Sequence, residues 1–496
     1  MHKILINGAW VEALGPASRE IKNPATLKLL GTVPDCGPAD VARAVAAART
    51  AQPRWWKIPG VEKAKLLREI GAAIRAREHA LSTLMTQETG KPLCESVDCI
   101  DWVAACFEYY GEVARSSYGN SVPPVAPHQL NFTIKEPFGV VAAIVPFNFP
   151  LLLMAWKVAP AIAAGNTVVC KPPHQNPLSN LMLAEVYDLL PPGVVNVVTG
   201  ASDTGTALTE HPDVDLIAFT GSNAVGRKIA AAAGAQLKKV NLELGSVDPF
   251  IVFKDADLDV AVPGVAWARL LNAGQVCTSS KRIYVEEPLA AEFTERMKDY
   301  VAQLKVGDPM AADTDLGPLI SREAARRIED QVARALKDGA TLELGGGVLS
   351  PAGLPGYFFQ PTILGRVRHG SVATREEIFG PVLSITSAAD ADEAIRLAND
   401  SEYGLGASIY TKDLTTAMRA MESIKAGTFW INDPLTDNDA APFGGMRHSG
   451  IGRELGPEGL DAFREPKHVH LDWLMERKPW FFPYGARKVP GDREKD

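Results

Sequence analysis

Val140-Val141-Ala142-Ala143-Ile144-Val145 is an unbroken apolar run, closed by Pro146-Phe147-Asn148-Phe149-Pro150 and followed by a helical stretch that reaches Ala163. Thr167-Val168-Val169-Cys170 repeats the pattern with a helix through Leu190, and Val194–Val198 and Leu216–Phe219 repeat it again, the last leading into a helix through Ala233. Short apolar runs without alternation suit strands buried on both faces. Interleaved with helices they predict a parallel, doubly wound α/β sheet, which binds ligands outside the carboxyl ends of its strands.

Outward from this core, the rhythm resets near Val240–Leu244, and a second α/β stretch with its own sheet runs from Pro249–Phe253 to about Phe429. Toward the amino end, Leu66, Leu67, Ile70, Ala73 and Ile74 recur at helical spacing, which predicts a helix from Val61 to about Thr89 stopped by Gly90-Lys91-Pro92. A second helical stretch passes through Trp102, Phe107 and Tyr110. Asn7-Gly8 between apolar triplets reads as a tight hairpin, so the chain is expected to begin in a folded domain rather than a signal peptide. Between Ser116 and Pro137 four Gly and Pro residues punctuate an alternating segment, Leu130, Phe132 and Ile134, that reads as an extended arm. Lys467–Leu471 alternates likewise and is a candidate partner for it.

A chain of 496 residues exceeds one ordinary core, and 46% hydrophobic with 22% charged residues is the balance of a folded protein. The net charge of -8 argues against nucleic-acid and anionic-membrane partners, which need a basic face. The most apolar region, Val140–Trp156, carries two prolines and an asparagine and ends at Lys157, so it reads as core and not as a membrane span. Cys36, Cys94, Cys99, Cys106, Cys170 and Cys277 form no CxxC pair and no zinc spacing, so neither disulfides nor a metal site is expected and a reducing cytoplasm fits.

Several motifs carry chemistry. Phe219-Thr220-Gly221-Ser222-Asn223-Ala224-Val225-Gly226 joins a strand to a helix, placing Gly221 and Ser222 where a pyrophosphate would meet helix N–H groups, though alone it could be a plain glycine turn. Lys171 ends a strand at the ligand edge, where a ribose hydroxyl or phosphate is its natural partner. Cys277 follows the small, turn-forming run Asn272-Ala273-Gly274-Gln275-Val276, which favours an exposed thiol over a packed one. Glu243, closing an apolar stretch, would be partly desolvated and its pKa raised toward that of a general base. Asn148, between aromatics, must bond internally or aim at something.

Together with Lys171-Pro172, Leu242-Glu243-Leu244-Gly245, Glu376-Glu377-Ile378-Phe379-Gly380-Pro381, Pro442-Phe443-Gly444-Gly445 and Gly452-Arg453-Glu454, these segments resemble the NAD(P)-dependent aldehyde dehydrogenase superfamily, in order, to about Leu471. The resemblance implies a dinucleotide-binding domain (1–115 and 138–243), a catalytic domain (244–446), and an oligomerisation arm with a C-terminal tail (116–137 and 447–496). It implies Cys277 as nucleophile, Glu243 as general base, and the Asn148 amide with the Cys277 backbone N–H as oxyanion hole, so that an aldehyde becomes an acid through a thioester that water hydrolyses. Lys171, Gly221, Ser222, Glu377 and Phe379 would hold the cofactor, and Trp156, Val276, Thr278 and the loop 432–441 the substrate. A homodimer or homotetramer is implied.

Departures from the family pattern are Ser246-Val247, where Gly-Lys is usual, an aromatic tail around Trp480, Phe481, Phe482 and Tyr484 expected to dock on a cleft mouth or a subunit contact, and His174, where NAD-preferring members have Glu. Without that carboxylate nothing repels a 2′-phosphate, so both NAD and NADP are expected to serve. Aromatic residues near the proposed pocket predict an apolar or aromatic aldehyde, while Asp433, Asp437 and Asp439 leave room for a cationic one. The rival readings are a CoA-acylating dehydrogenase, disfavoured by the retained Glu243, and a non-catalytic homologue, disfavoured by the joint presence of Cys277, Glu243, Asn148 and Glu377.

Overall fold

The computed structural model describes residues 2–116, 119–478 and 480–483. Its main body, residues up to 116 and Pro137–Arg464, holds both large sheets. The first has eight strands in the order Ala9–Val11, Ile4–Ile6, Val195–Val197, Thr167–Lys171, Val140–Ile144, Leu216–Gly221, Lys239–Leu244 and Gly450–Ile451. The five from Val195–Val197 to Lys239–Leu244 run parallel. Val140–Ile144 and Thr167–Lys171 are buried at every position, which is why their sequences do not alternate. From Val140–Ile144 the chain winds to one side through Thr167–Lys171 and Val195–Val197, then crosses to the other side for Leu216–Gly221 and Lys239–Leu244. That reversal opens a crevice above the carboxyl ends of Val140–Ile144 and Leu216–Gly221.

The second sheet has seven strands in the order Thr341–Leu344, Thr362–Gly365, Val382–Ala388, Arg282–Glu286, Pro249–Val252, Gly406–Tyr410 and Thr428–Ile431, all parallel except the first. Asn7 and Gly8, at φ 54° and 73°, make the tight turn that pairs Ile4 with Val11. The helix read from Val61 to Thr89 is two helices, Gly60–Arg75 and Glu78–Thr89, because the chain kinks at Arg77 (φ -109°, ψ 9°). Gly90, at φ 87°, caps the second.

The arm boundary drawn at residue 447 is corrected by the structure. Gly450–Ile451 lies antiparallel to Leu242–Glu243 as the last strand of the first sheet, and the chain leaves the main body only after Arg464. Glycine permits this pairing: a Cβ on Gly450 would stand 2.4 Å from the Leu242 carbonyl oxygen. The second unit contains Arg464–Asp472, Gln129–Pro137 and Ser121–Val122 as neighbours in a three-stranded sheet. There His468 and His470 both meet Asn131 Oδ1, at 3.1 and 2.8 Å. Trp480, Phe481 and Phe482 are exposed, while Tyr484 of the proposed docking tail lies outside the described residues. No helix among the described residues is long and apolar enough to cross a membrane.

Helix Leu258–Leu270 ends on Arg269, which is fully buried and donates to the carbonyls of Val382 (2.6 Å), Ile378 (2.7 Å) and Gly274 (3.2 Å) and to Ser279 Oγ (2.9 Å). The guanidinium thereby pins the loop before Cys277 to the segment that carries Glu377 and Phe379. Arg269→Met would leave these acceptors unpaired in the interior, at about 1–3 kcal/mol for each group. We expect it to lower the thermal unfolding midpoint and the soluble yield more than Arg75→Met, whose partners are exposed; equal losses in the two variants would remove Arg269 from this role.

Candidate active site

The crevice supplies the features of an anion-binding edge. Leu216–Gly221 ends at Ser222, the N-cap of helix Asn223–Ala235, and the hydroxyl of this exposed residue makes no capping bond. A Cβ on Gly226 would stand 2.4 Å from the Leu244 side chain, so the glycine lets that helix lie close on its neighbouring strand. On the other side of Val140–Ile144, Lys171 Nζ donates to the carbonyls of Pro172 and Gly200, both at 3.0 Å, and burial lowers its pKa to about 8. Arg19 and Asp35, joined at 2.9 Å, complete this charged corner. His174 is exposed at its edge; partial burial and then the charges of Lys171 and Arg19 hold its pKa below the ordinary value.

The loop that carries Cys277 is reached through three successive left-handed residues, Asn272 (φ 50°), Ala273 (φ 53°) and Gly274 (φ 73°). Gly274 is required by contact as well as by φ: its Cβ would meet the Gly380 carbonyl oxygen at 2.2 Å. Cys277 emerges half-buried, and Lys281 Nζ bonds its carbonyl and lies 3.2 Å from Glu377 Oε1. Burial, then the charge of Glu243, pushes the Cys277 thiol well above its usual range, with Lys281 opposing.

Glu243, in strand Lys239–Leu244, is buried, and beyond the Cys277 thiol its carboxylate oxygens have no hydrogen-bond partner among the described residues. Burial first, then the negative charge of Glu454, raises its carboxyl well above the ordinary range, while Lys157 and the Cys277 thiol oppose. Lys157 and Glu454 form a fully buried pair at 2.5 Å; Lys157 also reaches Thr220 Oγ1 at 2.6 Å, and Glu454 Oε2 is unpartnered. Asn148 is buried with Oδ1 unpartnered, and its carbonyl accepts from Asn272 Nδ2 at 3.1 Å, tying the two loops together. Glu377 accepts from the Ser246 N–H at 3.4 Å and would clash with a Cβ on Gly245, at 2.5 Å, so the altered Ser246-Val247 run retains the glycine that the contact needs. Phe379 packs edge-on against Phe147, ring centres 6.0 Å apart.

A cavity of about 500 Å³ brings Cys277 together with Trp156, Val276 and Thr278, and residues 435–437 of the loop 432–441 join its wall. Its remaining wall corrects the expectation of an apolar or aromatic substrate. Glu95, Asp98, Asp315 and Asp437 line it beside Trp102, Phe149, Trp267, Tyr300 and Phe443. Burial raises Glu95 and Asp437 to about 7, and no cation lies within ion-pair distance of Asp437 among the described residues. Asp437 had drawn notice in the sequence; Glu95, Asp98, Asp315 and Lys281 had not, and Lys157 only as the end of an apolar region, because a charged residue on a helix or strand reads as solvated until its surroundings are known. Glu454 alone carried a signal, standing within the quoted Gly452-Arg453-Glu454.

Comparison with known proteins agrees with this geometry. The profile of the aldehyde dehydrogenase family matches residues 10–469, so the chain belongs to that family. It is 40% identical to a glutarate-semialdehyde dehydrogenase of Pseudomonas aeruginosa, covering 94% of this chain and 96% of that one. It is 41% identical to a chloroplastic aminoaldehyde dehydrogenase of Arabidopsis thaliana, covering 96% and 97%. A crystal structure of Staphylococcus aureus betaine aldehyde dehydrogenase in complex with NAD+ superposes with a TM-score of 0.95 at 36% identity, over 97% of each chain. The chain is thus an NAD(P)-dependent aldehyde dehydrogenase.

The electrostatics make a directional test. Because Glu243 raises the Cys277 pKa and Lys281 lowers it, Glu243→Gln should move the alkaline rise of Cys277 alkylation by iodoacetamide to lower pH, and Lys281→Met to higher pH. A pH profile of alkylation, followed by mass spectrometry at the Cys277 peptide, checks both signs.

Proposed function

We propose that this chain oxidises an aldehyde bearing a positive charge, an aminoaldehyde or a quaternary ammonium aldehyde, to its carboxylic acid at Cys277. The observation that carries the charge preference is Asp437, a half-buried carboxyl on the cavity wall with no cation beside it. Ammonium groups are also attracted by the faces of Trp and Tyr rings such as those lining the same cavity.

In this reading Cys277 adds to the aldehyde carbon, and the oxyanion is met by the Asn148 amide and the Cys277 backbone N–H. A nicotinamide cofactor, when bound, supplies the acceptor for the hydride that the adduct releases. The residues present fit such a cofactor: the unspent Ser222 at a helix N-terminus, the buried Lys171, and Glu377 with Phe379 facing the nucleophile loop support it. Glu243 then takes a proton from the water that attacks the thioester, a role suited to a buried carboxylate whose pKa is raised. The negative charge of Glu454 helps to keep that pKa raised.

The six free cysteines support a reducing compartment such as the cytoplasm, and the exposed Trp473, Met475 and Trp480 support a homo-oligomer built through the arm. Both NAD and NADP are proposed to serve, since Lys171 and Arg19 can meet a 2′-phosphate and His174 does not repel it.

Cofactor reduction over a panel of cationic, anionic, apolar and aromatic aldehydes, with and without CoA, tests the reading. The cationic members should show kcat/KM at least tenfold above neutral analogues of the same length, with no stimulation by CoA. Their KM should fall as pH rises through about 7, where Asp437 and Glu95 ionise, and Asp437→Asn should weaken that pH dependence. Glu243→Gln should give at most one NADH per site and then stall, and steady turnover by this variant would remove Glu243 from its role. Preference for an apolar aldehyde would overturn the substrate assignment.

Cofactor choice has its own variant. His174→Glu should raise the NADP KM much more than the NAD KM, because a carboxylate there opposes the 2′-phosphate. Equal changes for the two would show that the position does not set the choice.

A further inference from the structure

Lys91 follows the left-handed Gly90 and precedes Pro92, the N-cap of helix Leu93–Val113. It is 1% exposed, its ammonium has no hydrogen-bond partner among the described residues, and Nζ sits 3.6 Å from the centre of the Phe149 ring. An interior ammonium without hydrogen bonds is costly, so what surrounds it must offset the loss of water. Phe149 supplies one face; burial lowers the Lys91 pKa, and the groups that oppose this are the Cys99 thiol and then the carboxylate of Glu95, one helical turn on.

Each of these partners is attached to one half of the oxyanion site. Phe149 is the neighbour of Asn148. Glu95 accepts the backbone N–H of Asn272 through both oxygens, at 3.0 and 3.2 Å, and so holds the first of the left-handed residues that deliver Cys277. Asn272 Nδ2 closes the circuit by donating to the Asn148 carbonyl at 3.1 Å and the Gln275 carbonyl at 3.4 Å. Burial raises the Glu95 pKa, with Lys91 and the Asn272 N–H as the groups that favour its charged form; Asp98 is the nearby charge that opposes it.

We propose that Lys91 and Glu95 are positioning residues that fix the Asn148 amide and the Cys277 backbone N–H relative to each other before the aldehyde arrives. The inference rests on the catalytic roles proposed above for Asn148 and Cys277. Neither group is asked to donate or take a proton; their contribution is to hold two donor-bearing loops in one arrangement, and a misplacement of about 1 Å in such a site is worth roughly 100-fold in rate.

The test uses the full chain with NAD and propanal, a neutral aldehyde whose binding does not depend on cavity charge. Lys91→Met and Glu95→Ala should slow the first-turnover NADH burst at least tenfold per titrated Cys277 thiol, with the propanal KM within twofold of the unaltered chain. Glu95→Gln, which keeps an acceptor for the Asn272 N–H, should restore most of the rate. If Lys91→Met does not fold, the contrast of Glu95→Ala with Glu95→Gln decides. An unchanged burst with only a lower unfolding midpoint overturns the proposal in favour of a purely structural role. A defect confined to the KM of a cationic aldehyde overturns it in favour of charge recognition by Glu95. If the unaltered chain forms no NADH with propanal or with a cationic aldehyde, the Cys277 chemistry proposed above fails and this proposal with it, so the two failures are told apart.

Discussion

The site depends on one buried guanidinium. Arg269 spends its donors on three carbonyls and a hydroxyl, and those acceptors belong to the loop before Cys277, the loop after it, and the segment that ends at Pro381 and Val382. A planar, always-charged fork can satisfy such divergent acceptors at once, which a lysine cannot. Because the acceptors are main-chain groups, the clamp sets backbone positions and leaves the reacting side chains free. The left-handed run Asn272-Ala273-Gly274 would otherwise be an unfavourable way to leave a helix, since two of its members are not glycine.

Around that clamp the chain concentrates ionisable groups that are short of solvent. Glu243 has only the Cys277 thiol to bond among the described residues, Glu454 is half-satisfied by Lys157, and Lys91 lies on an aromatic face. Such groups destabilise the folded chain, and their accumulation at one place is the usual mark of a reaction site. Their shifts share a direction: the carboxyls of Glu243, Glu95 and Asp437 and the thiol of Cys277 are all raised, with burial the largest cause in each. A cation entering the cavity would reverse this for Asp437, since it favours the charged carboxylate.

Much of this was legible in the linear sequence. The strands Val140–Ile144, Thr167–Lys171 and Leu216–Gly221, the turn at Asn7-Gly8 and the stop at Gly90 are local consequences of apolar runs and backbone permissiveness, and they stand where the sequence places them. Cys277, Glu243, Asn148, Glu377 and Phe379 were marked by motif, and the structure gathers them around one crevice. What could not be read locally was any feature set by long-range contact. Gly450–Ile451 looked like the start of a tail and is a strand, because its partner lies at Leu242–Glu243, far away in sequence. The substrate cavity was misjudged for the same reason: its aromatic residues cluster near motifs, while Glu95, Asp98 and Asp315 come from elsewhere in the chain.

The sequence by itself determined the alternation of strand and helix and the two sheets, since these follow from periodicity, and through its family resemblance it marked Cys277 and Glu243 as candidate nucleophile and base. Only the tertiary structure decided which charges are buried and beside what: that Lys157 meets Glu454 next to Glu243, that Arg269 joins two loops, and that Asp437 faces a cavity without a cation. The physical reason is that a carboxylate's energy depends on its solvation and on charges within a few ångströms, and neither is a property of its neighbours along the chain.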